Sequence, residues 1–243
     1  MVGLVLAAGP GRRLHALTSE LPKTLLTVDD DRTILELAVA NLRTVGLEEI
    51  VIVTGFAAGK VEERAPELER RLGVRLRLVL NERAEEWNNA YSLWLARDAF
   101  AEGALLVNGD TVHPASVEGE LVGARRGDVA LAVDTDKALG DEEMKTLVSS
   151  DGALRRISKD IPAAEAHGEY IGVALIAPSA AGPLAEALEA VWRRDPGLYY
   201  EDGLQEFVDR GGRVEVVPIG PTEWVEVDDA ADLERAREIA CRF

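Results

Sequence analysis

The stretch Leu6-Ala7-Ala8-Gly9-Pro10-Gly11-Arg12-Arg13-Leu14, with Pro22-Lys23 shortly after it, constrains this chain more than any other segment. The apolar run Val2 to Leu6 breaks into a glycine turn that carries two arginines, and a lysine follows. Glycines let backbone N–H groups approach a phosphate chain closely, and cationic side chains neutralise it. The segment reads as a triphosphate cradle at the end of a first strand. Two better-known phosphate loops are excluded. A dinucleotide fingerprint needs a third glycine where Leu14 stands, and a Walker loop needs Gly-Lys-Ser/Thr where Gly11 precedes Arg12-Arg13. An ordinary strand-to-helix turn is the plainer reading of the same residues.

Strands and helices alternate through the first half. Val2–Ala7 reads as a buried strand, and Thr33-Ile34-Leu35-Glu36 as a capping box that opens a helix with Leu35, Ala38, Leu42 and Val45 on one face. Gly46 ends that helix; Ile50–Val53 is a strand and Val61–Leu72 a charged, exposed helix. Val74, Leu76, Leu78 and Leu80 alternate with arginines as in a half-buried strand. A helix over Asn88–Phe100 and a strand over Ala104–Val107 follow. This order predicts a mostly parallel sheet covered on both faces. The second half brings short strands at Val129–Val133, Met144–Ser149, Leu154–Ile157 and Tyr170–Ile176, with Asp151-Gly152 as a hairpin turn. Helices over Leu184–Trp192 and Gly203–Val208, strands Val214–Val217 and Trp224–Val227, and a helix from Asp229 complete it. The expectation is an α/β chain with a Rossmann-like, mostly parallel sheet flanked by helices and a small mixed sheet added in the acceptor half. It reads as a single domain over residues 1–243, with a nucleotide-binding half to about 112 and an acceptor-binding half from about 113.

A net charge of −17 repels polyanions and argues against a nucleic-acid partner. It leaves room for a nucleotide, since magnesium and a cationic loop reverse the sign locally. With Cys241 the single cysteine and no apolar run near ~20 residues, the chain reads as cytoplasmic, without disulfide, leader or membrane span. Self-association as a homodimer through a helix face stays open.

Asp110 and Asp228 each end a predicted strand, where open α/β sheets bind ligands. Two such carboxylates can hold one Mg²⁺ against a triphosphate. Taken singly, they are a turn residue and a helix cap. Lys145 and Lys159 are candidate anion holders on strands that otherwise present lysines to solvent. Tyr170, Tyr199, Tyr200, Glu201, Asp202, Trp224 and Glu226 are candidates for an aromatic, acidic pocket suited to an ammonium; ordinary packing is the competing account. His15, His113 and His167 are scattered and read as loop residues. Arg125-Arg126 and Arg155-Arg156 are spare cations without an assigned place.

Leu-Ala-Ala-Gly-x-Gly-x-Arg-Leu followed by Pro-Lys resembles the signature of the nucleotidyltransferases that load sugar phosphates and related small phosphates onto nucleotides. Arg12 departs from it, standing where that family usually has Ser or Thr. Asn-Gly-Asp at 108–110 and Trp-x-x-Val-Asp-x-x-x-Asp-Leu at 224–233 look like the family's two metal-binding segments. Asn-Asn-x-Tyr-Ser-Leu at 88–93 is similar to the base-contacting segment of choline-phosphate, inositol-phosphate and phosphonate cytidylyltransferases. The resemblance implies nucleotide contacts from Leu6, Ala8, Gly9, Gly11, Arg12, Asn89 and Ser92, and catalytic roles for Arg13, Lys23, Asp110 and Asp228, the last two on Mg²⁺. It implies an acceptor site drawn from Lys145, Lys159, Glu169, Tyr170, Tyr200, Glu201, Trp224 and Glu226. The implied reaction moves CMP from CTP to a small phosphate or phosphonate acceptor, such as phosphocholine or 2-aminoethylphosphonate, releasing pyrophosphate. A sugar-1-phosphate or inositol-1-phosphate enzyme and a non-catalytic nucleotide sensor are the alternatives.

Overall fold

A computed structural model describes residues 1–124 and 127–243; the pair Arg125-Arg126 lies outside the described residues. The first half contains β1 (Val2–Ala7), β2 (Thr27–Asp29), β3 (Arg32–Thr33), α1 (Ile34–Thr44), β4 (Glu49–Thr54), α2 (Ala58–Leu72), β5 (Arg75–Leu80) and α3 (Asn89–Leu95). Then come β6 (Ala104–Asn108), β7 (Thr111–Val112), α4 (Ser116–Gly123), β8 (Val129–Asp134), β9 (Lys145–Val148), β10 (Leu154–Ser158) and β11 (Gly168–Ile176). The chain closes with α5 (Ala181–Arg194), α6 (Tyr200–Asp209), β12 (Val214–Pro218), β13 (Val225–Glu226) and α7 (Ala230–Ala240).

Seven strands stack as β5-β4-β1-β6-β11-β8-β12, and all neighbours are parallel except at β11, which is antiparallel to both β6 and β8. β1 is the hinge of this order: β4, the next strand of the same sheet, lies on one side and β6 on the other. The carboxyl ends of β1 and β6 therefore flank a switch point, where open sheets leave a crevice. Because β11 runs the other way, its first residues, Glu169 to Gly172, reach the same end. There Glu169 pairs with Asp134 of β8 on one side and Lys145 of β9 on the other. The β9–β10 hairpin extends the main sheet beside β11, and the small added sheets are β7–β13 and β2–β3.

β1 is apolar throughout because both its faces are covered. Leu4 packs with Leu93, Leu184, Leu188 and Phe207 of α3, α5 and α6, while Val5 packs with Leu35, Leu42, Val61 and Leu121 of α1, α2 and α4. A third cluster joins α7 to Leu14, Val112, Val225 and Val227. Thr33 caps α1 by accepting from the Glu36 N–H, but the Glu36 carboxylate turns to Arg71 at 2.7 Å. The expected reciprocal box is half made, because a buried carboxylate gains more from a guanidinium than from one amide. The helix expected over Asn88–Phe100 stops at Leu95 and continues as a 3₁₀ turn over Arg97–Glu102. The α4 helix and the β2–β3 hairpin were not anticipated. No described helix is long and apolar enough to cross a membrane.

Candidate active site

A cleft of about 680 Å³ opens at the carboxyl ends of β1 and β6. The glycine loop forms one wall. Gly11 has φ +60°, and a Cβ there would lie 2.9 Å from the Cβ of Lys23, so glycine both makes the bend and admits the lysine. Pro22 leads into a short 3₁₀ turn over Lys23–Leu25, anchored by buried Thr24 and Leu25. Lys23 is thereby aimed into the cleft from below the loop.

The two distant aspartates meet through a two-residue ribbon. β7 and β13 pair as Thr111 with Glu226 and Val112 with Val225, and the Val227 N–H donates to the Asp110 carbonyl at 2.8 Å. Val112, Val225 and Val227 are buried beneath, which fixes the register. Asp110 and Asp228 flank that ribbon and share Lys23, whose Nζ lies 2.8 Å from one and 3.0 Å from the other. Arg13, largely exposed, reaches Asp228 at 2.6 Å. Burial opposes a charge on Lys23, yet Asp110 and Asp228, backed by Glu226, hold its ammonium above the ordinary lysine range. The strand expected over Trp224–Val227 is shorter, β13 alone, because pairing ends where the chain turns toward Asp228.

Glu226, expected among the acceptor residues, stands with the aspartates. Carboxylate oxygens of Asp110, Glu226 and Asp228 lie within 4.8 Å of one another, the one such trio among the described residues. An octahedral magnesium at about 2.1 Å from each oxygen needs ligand oxygens roughly 3–4.2 Å apart, so the trio fits after slight closure. Desolvation within the cleft and the two aspartates push the Glu226 carboxyl upward, although its outer edge meets solvent. A cation is what this cluster is short of, and Lys23 supplies part of it. The sequence held a signal for Glu226: it is two residues from Asp228 in an extended segment, hence on the same side.

Leu6, Ala8, Gly9, Gly11, Arg12, Asn89 and Ser92 all line the cleft. Arg12 donates to the Glu85 carbonyl at 3.1 Å, tying the glycine loop to the turn before α3. The Tyr200 backbone N–H donates to Asn89 Oδ1 at 2.8 Å, so the Asn89 amide nitrogen is left to face outward. Asn81 Nδ2 donates to Ser92 Oγ at 2.9 Å, which leaves the Ser92 hydroxyl proton free to donate.

The acceptor residues expected from sequence separate into three groups. Lys159, Tyr170, Glu201 and Glu226 line the cleft together with Tyr199, Glu142 and Met144. Lys159 sits near the Tyr199 ring and 3.9 Å from Glu142. Glu201 is buried, its Oε2 has no partner, and burial pushes its carboxyl up to about 7. Glu169 and Trp224 instead face an adjoining hollow of about 610 Å³, which shares Arg13, Glu142, Lys159, Glu226 and Asp228 with the cleft.

Tyr200 and Lys145 face neither space. Tyr200 lies under the floor, its hydroxyl bonding to Asn108 and Tyr170, each at 3.0 Å. Lys145 is 1% exposed and donates to the carbonyls of Gly140, Asp141 and Glu143, so it anchors a loop. Gly172, at φ +83°, lets β11 pass Asn108, whose side chain would meet a Cβ there at 2.5 Å. The largest aromatic group is not the expected pocket but Trp87, Tyr91, Trp94 and Trp192, packed between α3 and α5. His113 lies in the loop between β7 and α4, as expected, and is buried there 3.6 Å from Glu118. Arg155 and Arg156 are exposed on β10, away from the cleft.

Residues 3–201 match the MobA-like NTP transferase domain, and the chain belongs to that family. It is similar to the CMP-5'-(3-aminopropyl)phosphonate synthase of Streptomyces rubellomurinus, 30% identical over 241 residues, 96% of this chain and 38% of that protein. It is also similar to the choline-phosphate cytidylyltransferase of Streptococcus pneumoniae, 32% identical over 106 residues, 44% of this chain and 43% of that one. The chain thus spans less than half the length of these curated relatives. Among solved structures, the inositol-1-phosphate CTP transferase from T. maritima shares the fold, with TM-score 0.84 and 24% identity over 99% of this chain and 94% of that one.

Proposed function

We propose that the protein is a cytidylyltransferase that moves CMP from CTP to a small phosphate or phosphonate acceptor with release of pyrophosphate. The observation that carries this reading is the meeting of Lys23 and Arg13 with Asp110, Glu226 and Asp228 at the switch point. In the reaction, an acceptor oxygen forms a bond to the α-phosphorus as the bond to pyrophosphate breaks. A phosphate monoester is largely dianionic near neutral pH, its second pKa being about 6, so no protein base is needed. Catalysis then reduces to alignment and charge neutralisation. Lys23 neutralises charge at the α-phosphate, and Arg13, long and largely exposed, turns from Asp228 to the departing pyrophosphate. Asp110 and Asp228, with Glu226 beside them, would hold a divalent cation, which would supply further charge neutralisation when bound.

The choice of base follows from two donors. Asn89 Nδ2 and the Ser92 hydroxyl both offer protons to the cleft. Cytosine presents O2 and an unprotonated N3 to such donors, whereas uracil carries a proton on N3. The names of the two curated relatives, one a CMP-phosphonate synthase and one a choline-phosphate cytidylyltransferase, support the same nucleotide. For the acceptor, Lys159 meets the phosphate, and the unpartnered Glu201 oxygen beside Tyr170 and Tyr199 suits a small ammonium-bearing head.

A pyrophosphate-release assay that crosses CTP, UTP, ATP and GTP with phospho- and phosphono-acceptors tests this. CTP with an amino-alkyl phosphate or phosphonate should give the fastest release. Release from UTP with a sugar 1-phosphate would replace the reading, and CTP binding without turnover on any acceptor would make the protein a sensor.

A further inference from the structure

The hollow beside the carboxylate trio is furnished for an ammonium, and its occupant is part of the chain. Lys137 Nζ sits 5.0 Å from the Trp224 ring centroid, 2.8 Å from Glu169 Oε2 and 3.7 Å from Glu143 Oε1. A ring face with one buried and one half-buried carboxylate beside it is an arrangement that holds alkylammonium groups. The walls are fixed by bonds of their own. Trp224 Nε1 donates to Asp134 Oδ2 at 2.8 Å, and Asp134 Oδ1 accepts the N–H groups of Asp136 and Lys137. On the far side, Lys145 holds three carbonyls of the loop that carries Glu143, and the Gly140 N–H donates to the Glu143 carboxylate. The lysine itself is the movable part, with 41% of its side chain exposed against 6% for Glu169.

We propose that Lys137 is a specificity-determining residue: its tethered ammonium plugs the cage of Trp224, Glu169 and Glu143 and keeps the cationic end of an acceptor out of the hollow. Lys137 is not there to bind an anionic tail, because the hollow is lined by ten acidic side chains against four basic ones and repels one. The hollow opens directly onto the trio, so an acceptor held at Lys159 has two ways to point its head. With the cage plugged, only the Glu201 side is left. This consequence for acceptors rests on the cytidylyl-transfer reading, whereas the cage does not.

Lys137→Ala empties the cage while its backbone N–H still bonds Asp134. Titration with ethylammonium or tetramethylammonium chloride, against sodium chloride as control, should shift the Trp224 indole N–H resonance in this variant and leave wild type unmoved. The KM for a trimethylammonium acceptor should fall about tenfold relative to that for an uncharged-head acceptor. Lys137→Gln, which keeps length without charge, should give the same direction should the alanine variant not fold. A folded variant that neither binds alkylammonium nor changes its acceptor ratio overturns the plug, with wild-type transfer untouched. Failure of pyrophosphate release with every acceptor would instead remove the transfer reading, and the indole titration would still decide the cage.

Discussion

The end of the cleft proposed to take phosphates and the end proposed to take an acceptor are built by different means, and four lysines show how. Lys23 is placed by backbone: a left-handed glycine, a proline-led turn and a two-residue ribbon bring it between two aspartates. At the acceptor end, Lys145, Lys159 and Lys137 lie within a short stretch of chain and have three different surroundings. One is sealed among carbonyls, one lies at the cleft wall, and one rests on a tryptophan. Backbone-built geometry leaves its mark in motif residues. Geometry built by side chains onto backbone does not, because it depends on which way a loop folds over.

The largest effect that tests this contrast belongs to the phosphate end. Asp110→Asn keeps size and hydrogen-bonding shape but removes one charge from the trio and from Lys23. Losing a contact of this kind costs about 3–4 kcal/mol of barrier, so kcat should fall by roughly several hundredfold while the melting temperature stays near wild type. Turnover at a tenth of wild type or more would break the claim that this end is the reacting centre.

Next in size is Lys145→Met, which separates anchoring from acceptor binding. It removes the charged donor that the carbonyls of Gly140, Asp141 and Glu143 share, and losing hydrogen bonds made by a charged group costs roughly 2–3 kcal/mol of folding stability. Urea unfolding should show that loss. A normal unfolding midpoint with a raised acceptor KM would return Lys145 to the acceptor site.

How much of this was legible in the sequence follows the same division. The central strands were readable because burial on both faces demands continuous apolar runs such as Val2 to Leu6. The convergence of Gly11, Lys23, Asp110 and Asp228 was readable because residues just beyond the carboxyl ends of strands meet at one end of an open sheet. The α4 helix was not: it is eight residues with two glycines and weak periodicity. Lys137 and Lys145 were equally opaque, since a lysine on a turn or short strand is ordinarily solvated. Only the fold shows that Asp134 pins one and three carbonyls surround the other. The place of Glu226 beside the aspartates was hidden for a different reason: the two-residue spacing to Asp228 was visible, but the ribbon that turns both toward Asp110 was not.

A smaller effect probes the acceptor end through its buried acid. Glu201 is pushed up to about 7 by burial, above its unfolded value near 4.5. Between those values the folded state holds a proton that the unfolded chain has released, so stability falls as pH rises. The loss begins near pH 4.5 and is complete above about 7. Glu201→Gln removes that slope, and its unfolding free energy should gain on wild type by about 1–3 kcal/mol between pH 5 and pH 8. Parallel curves for the two proteins would mean that the carboxylate is not desolvated as its surroundings imply.

The smallest effect sharpens the comparison within the nucleotide wall itself, where side chains again do what backbone does elsewhere. Asn81 is held in one orientation, since its Oδ1 accepts the Arg83 N–H at 2.8 Å and its Nδ2 is therefore the atom that meets Ser92. That fixes the Ser92 hydroxyl as a donor toward the cleft. Ser92→Ala deletes the donor and strands the Asn81 amide, a loss of about 1 kcal/mol for one neutral hydrogen bond. The expected result is a fall in kcat/KM for CTP of about fivefold, with a smaller fall for UTP, whose N3 proton gains nothing from a second donor. The ratio of the two, measured at the same acceptor concentration, is the decisive number. If it does not move, the base is read by backbone groups near Ala8 and Gly9, and the nucleotide wall joins the phosphate end as a backbone-built structure.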